Sequence, residues 1–451
     1  MDFQLYSLAA ALVFKDIFFP SDAPGVAIIL AMATYATGYL SRPIGAWFFG
    51  RLGDRVGRTK VLFYTIALMG IATTAIGLLP TYQQVGILAP ILLVVLRLAQ
   101  GFGAGAEIAG SSVMLTEYAP RRRRGLVGSL VALGTNSGTL GASAIWGLLV
   151  ATMSTQTVIE WGWRIPFIAS SLIMLFAVWL RRNLKESPVF EGRADVVDGQ
   201  AISREELDKV AAHDSVLAKA MHERKGRAFF QGFFLRFGQA GNSGIVQTYL
   251  ISYIATVLLL APSVGTGVVI TSSLVGFLTV PIIGWLSDQV GRKLMYMIMS
   301  SIALVLAVPM IWMIASKNIS SIFVGYIIIH QTSVLALASL ENNTMSELFG
   351  SRARLTQLAL AKELAAIVAT GIGPVVAAAL VLATGSWWPI AIMIGFFSIC
   401  SLGAAIVMPE TAGRDLTVLN DARKGEAIIG PFARRERAAL GLPAPETIDA
   451  R

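Results

Sequence analysis

The sequence predicts an all-α membrane protein of twelve transmembrane helices, arranged as two pseudo-symmetric six-helix bundles. Three observations predict it. Of 451 residues, 55% are hydrophobic and 14% are charged, too little charge to cover a soluble protein, in which about a quarter of residues are charged. Apolar runs of bilayer-spanning length recur twelve times. The second half of the chain also repeats motifs of the first.

The runs cover residues 3–19, 24–50, 60–79, 86–117, 125–152, 164–182, 228–258, 264–286, 293–315, 319–348, 355–383 and 387–408; they are numbered below as spans 1 to 12. Helix is the economical reading, because lipid offers no partners to exposed backbone polar groups. The basic residues orient the spans. They gather at Arg51 to Lys60, Arg121 to Arg124, Arg181 to Arg227, Arg292 and Lys293, Arg352 and Arg354, and in the tail. Lys15, Arg164 and Lys317 fall at the opposite ends. Both termini are therefore expected on the cytoplasmic side of the cell membrane. The net charge of +9 then reads as a topology signal, with the lipid bilayer rather than nucleic acid as the partner. Trp161, Trp163, Trp387 and Trp388 are expected as interfacial aromatics at the outer ends.

The domain boundaries follow: a first bundle over 1–182, a cytoplasmic loop over 183–227, a second bundle over 228–408 and a cytoplasmic tail over 409–451. In the loop, Ser203 and Glu206 form a capping-box pattern ahead of a short amphipathic stretch. The tail has no sustained heptads. The repeat is clearest in G-R-L-G-D-R-V-G-R at Gly50 to Arg58 and G-W-L-S-D-Q-V-G-R at Gly284 to Arg292, an offset of 234 residues. A looser pair is K-E-S-P after span 6 and P-E-T-A-G-R-D-L after span 12. Duplicated six-helix halves with a site near their interface are a common transporter architecture.

These motifs, with F-F-P-S-D after span 1, S-R-P-I-G-A in span 2, L-R-L-A-Q-G-F-G-A-G-A-E in span 4, E-Y-A-P-R-R-R-R-G, G-W-R-I-P-F and L-K-E-S-P-V-F-E, resemble the major facilitator superfamily. More narrowly, they are similar to its metabolite:proton symporter family over residues 2 to 416. The resemblance implies the major facilitator fold and proton-coupled import of small organic acids, betaines or related metabolites by alternating access. It implies no enzyme activity, and no cofactor beyond the proton as coupling ion. A monomer is expected. One departure concerns span 1. In the family a glutamate and aromatics precede Asp-Phe, whereas here Met1 stands before Asp2 and Phe3. The helix keeps about 17 residues, roughly 25 Å. Two readings stay open, a start lying upstream or a shortened, non-transporting paralogue.

The chemistry-bearing residues fall in three groups. At the basic ends, Gly50, Gly53 and Gly57 permit tight turns, Asp54 can accept from a neighbouring helix N-terminus, and Arg55 and Arg58 can pair with acids such as Glu117. The family implies that this cluster latches the inner gate, with Asp288 and Arg292 as a weaker second copy. In span 4, Arg97 and Glu107 are ionisable well inside a span, where such residues by default face a cavity and serve function. Their ten-residue separation, about 15 Å of rise, keeps them from pairing with each other. Glu107 is expected as the protonatable group; the resemblance adds Arg97 and Asp2 to proton coupling. Gly101 and Gly105 make a G-x-x-x-G close-packing pattern.

Span 7 carries Arg236, Gln239, Asn242 and Gln247, the densest polar stretch of any span and a candidate substrate surface, with inter-helix hydrogen bonding as the alternative. Glu341, at the 234 offset from Glu107, and Lys362 join it as candidate substrate-binding residues. Arg42, Arg97, Arg236 and Lys362 favour a carboxylate substrate. The balancing acids Asp2, Glu107, Glu341 and Glu363 also suit a zwitterion such as a betaine. A uniporter or exporter of the same fold is the rival within transport. No metal site is expected: Cys400 is the one cysteine, and His213, His222 and His330 are scattered. No phosphate-binding loop supports ATP drive.

Overall fold

The structure, a computed structural model, describes residues 5, 6, 9, 13, 14, 17–19, 34, 37–182, 186–191, 196, 197, 200, 201 and 226–444. Each of the twelve apolar runs contains helical residues. Among the described residues, eight helices are long and apolar enough to cross a membrane: Arg58–Gly77, Leu88–Tyr118, Val158–Leu180, Ser263–Val290, Arg292–Ala315, Ile319–Leu348, Arg354–Thr384 and Trp388–Val407. Span 2 is described as helix over Arg42–Val56. Span 5, Arg124–Thr152, is long enough, but Gly134 to Thr139 dilute its hydropathy. Span 7 runs as Gly226–Ser243, opens into a π-helical turn at Gly244–Tyr249 and resumes at Leu250–Thr256. The pairing of Val196–Val197 with Gln200–Ala201 is the β-structure among the described residues. The capping box at Ser203 lies outside them.

The motif repeat is a structural repeat. Gly57 has φ 104° and Gly291 φ 96°, a region that L side chains rarely adopt, and a helix starts at the next residue in each case. Each start is capped by a distant carboxylate. Glu186, of K-E-S-P, accepts from the amides of Arg58 at 2.9 Å and Thr59 at 3.1 Å. Glu410, of P-E-T-A-G-R-D-L, accepts from Arg292 at 2.9 Å and Lys293 at 3.3 Å. An anion there answers the first unpaired N–H groups and the helix dipole. The looser motif pair thus completes the tighter one.

The chain forms two compact units, Met1–Gly110 with Gly134–Glu186, and Ser111–Leu133 with Ser187–Arg451. The turn between spans 4 and 5 is thereby part of the second unit, although it precedes the expected boundary at 182. In the first unit, the small faces of Gly101 and Gly105 lie against the backbone of Gly38 and Arg42, the close packing expected of G-x-x-x-G. Phe14, Phe18, Trp163 and Phe167 form its aromatic core with centroids 5.1–6.2 Å apart. Trp163 is therefore a core residue rather than the interfacial one expected, whereas Trp161 is 57% exposed and Trp388 48%. Arg164 closes the end of span 3 by donating to the carbonyls of Gly77 and Leu79 at 2.8 and 2.7 Å.

In the second unit, spans 7 to 12 enclose a core that includes Tyr253, Ile311, Tyr326, Ile394 and Phe397. Exposed apolar side chains such as Leu172, Phe176 and Trp179 on span 6, and Val305, Val308 and Trp312 on span 9, suit lipid contact. The tail does not trail away. It folds back against the second unit and carries a short helix, Pro431–Ala439.

Candidate functional site

Span 7 brings Arg236 beside Glu341 of span 10, which also meets Lys362 of span 11. Arg236 Nη1 lies 3.2 Å from Glu341 Oε2, and Lys362 Nζ lies 2.8 Å from Glu341 Oε1. Each oxygen of one buried carboxylate thus faces a different cation. Gln239, three residues along the same helix face, accepts from Arg236 at 2.6 Å. Lys362 also donates to the side-chain oxygen of Asn342, which accepts from Ser112 at 2.8 Å. Four of the six expected substrate residues, Arg236, Gln239, Glu341 and Lys362, are therefore one constellation.

The other two go elsewhere. Asn242, six residues from Arg236 and so about 120° around the helix, donates to Ser398 of span 12 at 3.2 Å. This is the inter-helix hydrogen bonding given as the alternative to a substrate surface. Gln247 lies in the π-helical turn and meets His330 at 2.9 Å. His330 opens a second π-helical turn, His330–Leu335, and its Nδ1 lies 2.7 Å from the Ser272 hydroxyl. Gln331 donates to that hydroxyl at 2.9 Å. This polar seam across spans 7, 8 and 10 was not legible in the sequence, because a π-turn changes which residues share a face.

In the first unit, Arg97 is fully buried and its guanidinium lies 3.8 Å from the centre of the Tyr6 ring. It donates to Gln100, which passes a 2.7 Å bond to Thr73. Glu107 is half-buried, further along span 4. Asp2 lies outside the described residues.

At the basic ends, Gly50, Gly53, Asp54, Gly57 and Arg58 are buried, with Arg58 at the capped start of span 3. Arg55 is exposed and makes no ion pair among the described residues. Glu117 is held by Arg354 at 2.6 Å, both side chains fully buried, and by the Ser187 hydroxyl. Asp288 accepts from the Gly125 and Leu126 amides at the start of span 5, at 2.7 and 2.8 Å. Asp288 also pairs with Arg292 at 2.8 Å, and Arg292 meets Glu347 at 3.1 Å.

Glu347, Arg354 and Arg124 were missed as site residues, yet a signal was present. T-E-Y-A-P-R-R-R-R and S-E-L-F-G-S-R-A-R each place an arginine seven residues after a glutamate, at Glu117 and Arg124 and again at Glu347 and Arg354. The pairs are exchanged: Glu117 meets Arg354, and Arg124 lies 3.7 Å from Glu347. This register is an offset of 230, matching the helix ends at Tyr118 and Leu348. It sets Leu337 opposite Glu107, so Glu341 is not the symmetric partner that the 234 offset suggested.

Two carboxyls of the described tail are shifted. Burial pushes the Glu410 carboxyl up, against the amide bonds from Ala412, Thr411 and Arg292. Burial also acts to raise Asp415, but bonds from Thr417 and the Arg121 charge outweigh it and hold that carboxyl below its usual range.

Comparison with known proteins agrees with this architecture. The Major Facilitator Superfamily model matches residues 2–362. The Escherichia coli (strain K12) protein provisionally named transporter YdfJ is 49% identical over 440 residues, 97% of this chain and all of that protein. A glycine betaine/proline/ectoine/pipecolic acid transporter, OusA of Dickeya dadantii (strain 3937), is 32% identical over 92% of this chain and 81% of its own. The shikimate transporter of Escherichia coli (strain K12) is 30% identical over 91% of each chain. A solved structure of the proton:xylose symporter XylE shares the fold at a TM-score of 0.75, with 15% identity over 93% of this chain and 94% of that one. The chain belongs to the Major Facilitator Superfamily and is a multi-pass membrane transporter.

Proposed function

We propose that the chain is a proton-coupled symporter of the metabolite:proton symporter kind, which imports a small organic carboxylate by alternating access. The observation that carries this reading is Glu341, held between Arg236 and Lys362 at 3.2 and 2.8 Å. Two cations, buried Lys362 and partly buried Arg236, facing the two oxygens of one carboxylate form a receptor for a carboxylate, occupied by the chain's own group. A substrate carboxylate competes with Glu341 for those cations, and a proton on Glu341 releases them. Substrate and proton then favour each other's binding, which is the thermodynamic content of symport. The relatives support the substrate class: glycine betaine, proline, ectoine, pipecolic acid and shikimate all carry a carboxylate. A zwitterion such as a betaine presents the same group.

Glu107, with Arg97 and Asp2, supplies the proton step in the first half of the chain. The exchanged pairs Glu117–Arg354 and Arg124–Glu347 close the basic end, with Asp288 seated on the start of span 5. Opening this gate parts spans 4 and 5 from spans 8 to 11. The basic surplus at these ends supports a cytoplasmic orientation for them and for both termini.

The test is uptake in transporter-deficient cells, with labelled proline, betaines, shikimate and dicarboxylates, with and without an uncoupler. Uncoupler-sensitive uptake of a carboxylate, with alkalinisation of the medium, is expected. Uptake indifferent to the uncoupler would remove proton coupling and leave a uniporter.

A further inference from the structure

The folded tail shares its anchors with the gate. Arg124, which faces Glu347, also donates to the backbone carbonyl of Arg414 at 2.6 Å. Arg354, which holds Glu117, also donates to the carbonyl of Leu416 at 2.7 Å. Between them, Asp415 pairs with Arg121 at 2.7 Å. Three consecutive tail residues therefore receive three arginines of the gate turns. The seat itself is fixed from below. The Arg414 side chain is buried and donates to the carbonyl of Glu347 at 3.0 Å, to the carbonyl of Asn420 and to Glu426. The Gly413 amide and the Thr411 hydroxyl reach the Glu347 carboxylate at 3.4 and 3.3 Å. Further along, the tail is stitched to the turn between spans 10 and 11: Ser351 N–H to Val418 at 3.0 Å, Ala422 N–H to Leu348 at 2.8 Å, and Gly350 N–H to Asp421 at 3.0 Å.

A tail that merely trailed into water would hydrate these carbonyls and leave buried Arg124 and Arg354 with fewer acceptors than their five donors seek. We propose that the segment 411–422 is a working part of the gate: its Arg414–Leu416 backbone is the seat that holds Arg121, Arg124 and Arg354 when the basic end is closed, and Arg414 is the positioning residue that keeps the seat in place. This rests on reading the exchanged ion pairs as a gate. It goes beyond that reading by making opening depend on a segment outside the twelve spans. Arg121 and Arg124 precede span 5, so the tail ties the first half of the chain to the second without belonging to either bundle.

Site-directed labelling tests it without knowledge of the substrate. In full-length protein in lipid nanodiscs, with Cys400→Ser as background, Ser129→Cys places one thiol at a buried position facing Gly284 of span 8. A charged, water-soluble maleimide reaches it when the basic end opens. Arg414→Gln is expected to raise the labelling rate about tenfold, as a shift of one decade in the open population. Arg121→Asp and Asp415→Arg alter side chains that are 43% and 46% exposed, so folding is spared. Each is expected to raise the rate about two- to threefold, in keeping with an exposed ion pair. The double exchange Arg121→Asp with Asp415→Arg is expected to restore the parental rate, an outcome that misfolding cannot produce. Glu117→Gln separates the two levels of the argument. If it accelerates labelling while Arg414→Gln and the Asp415 variants do not, the gate stands and the tail proposal is overturned. If none of them accelerates labelling, the gate reading fails and takes the tail proposal with it.

Discussion

Arg97 in the first unit and Arg236 in the second begin from the same local design. Each sits within a span, each is followed three residues later by a glutamine, and each donates to that glutamine. Beyond the clamp they diverge. Arg97 lies over the Tyr6 ring, and its Gln100 passes the polar chain to Thr73. Arg236 reaches a carboxylate that Lys362 shares from the other side. A ring and a hydroxyl can orient a guanidinium, but they cannot exchange a proton or give way to an anion at ordinary pH. Glu341 can do both. One motif thus serves two purposes, and the difference lies in partners contributed by other spans.

The comparison can be broken most forcefully at Lys362. Lys362→Met leaves Glu341 buried with half of its compensation. A loss of about 3–5 kcal/mol is typical when one partner of a buried pair is removed, so lower thermal stability and loss of transport are expected together. Adding Glu341→Gln to Lys362→Met removes the orphaned charge and should recover most of the stability but not the transport. Failure of the stability to recover, read by thermal unfolding in detergent, would mean that the two groups do not depend on one another.

A smaller effect is expected at Arg97. Tyr6→Leu removes the ring, costing about 0.5–2 kcal/mol for the cation–π contact besides the bond to Thr34, and should lower transport and weaken its proton dependence. A Tyr6→Leu variant whose uptake stays fully sensitive to an uncoupler would remove Arg97 from the proton step. The smallest effect concerns pH. Asp415 is held below its usual range, so its pair with Arg121 is complete above that range and is lost only on acidification through the lowered value. Between about pH 5 and 8, where histidine charge changes, labelling at Ser129→Cys should be flat. A slope that vanishes in Asp415→Asn would contradict this sign.

Much of the architecture was legible because lipid leaves few options. Span lengths, the basic ends and the Gly–Asp–Gly–Arg repeat follow from transfer energetics and from backbone conformations that favour glycine. The function of K-E-S-P and P-E-T-A-G as caps was half legible: the motifs paired in sequence, but capping needed the fold to bring Glu186 to Arg58 and Glu410 to Arg292. Trp163 and Asn242 went the other way, because which face of a helix is covered depends on neighbours that periodicity does not name. The exchanged pairs Glu117–Arg354 and Arg124–Glu347 were written in the sequence at an offset of 230, one helical turn from the offset that the glycine motif suggests. The His330 seam was hidden by π-turns, and the Arg414–Leu416 seat acts through backbone carbonyls, which composition cannot distinguish.

The central claim is that Glu341 is the carboxylate whose place a substrate takes. Its most direct test is to compare, in reconstituted vesicles, uncoupler-sensitive accumulation with substrate exchange at equilibrium for Glu341→Gln, using whichever carboxylate the uptake panel identifies. Exchange retained within about threefold, less than a decade in affinity, with accumulation abolished, is the predicted result. Accumulation that persists at the parental level in Glu341→Gln would contradict the account and return proton coupling to Glu107 alone.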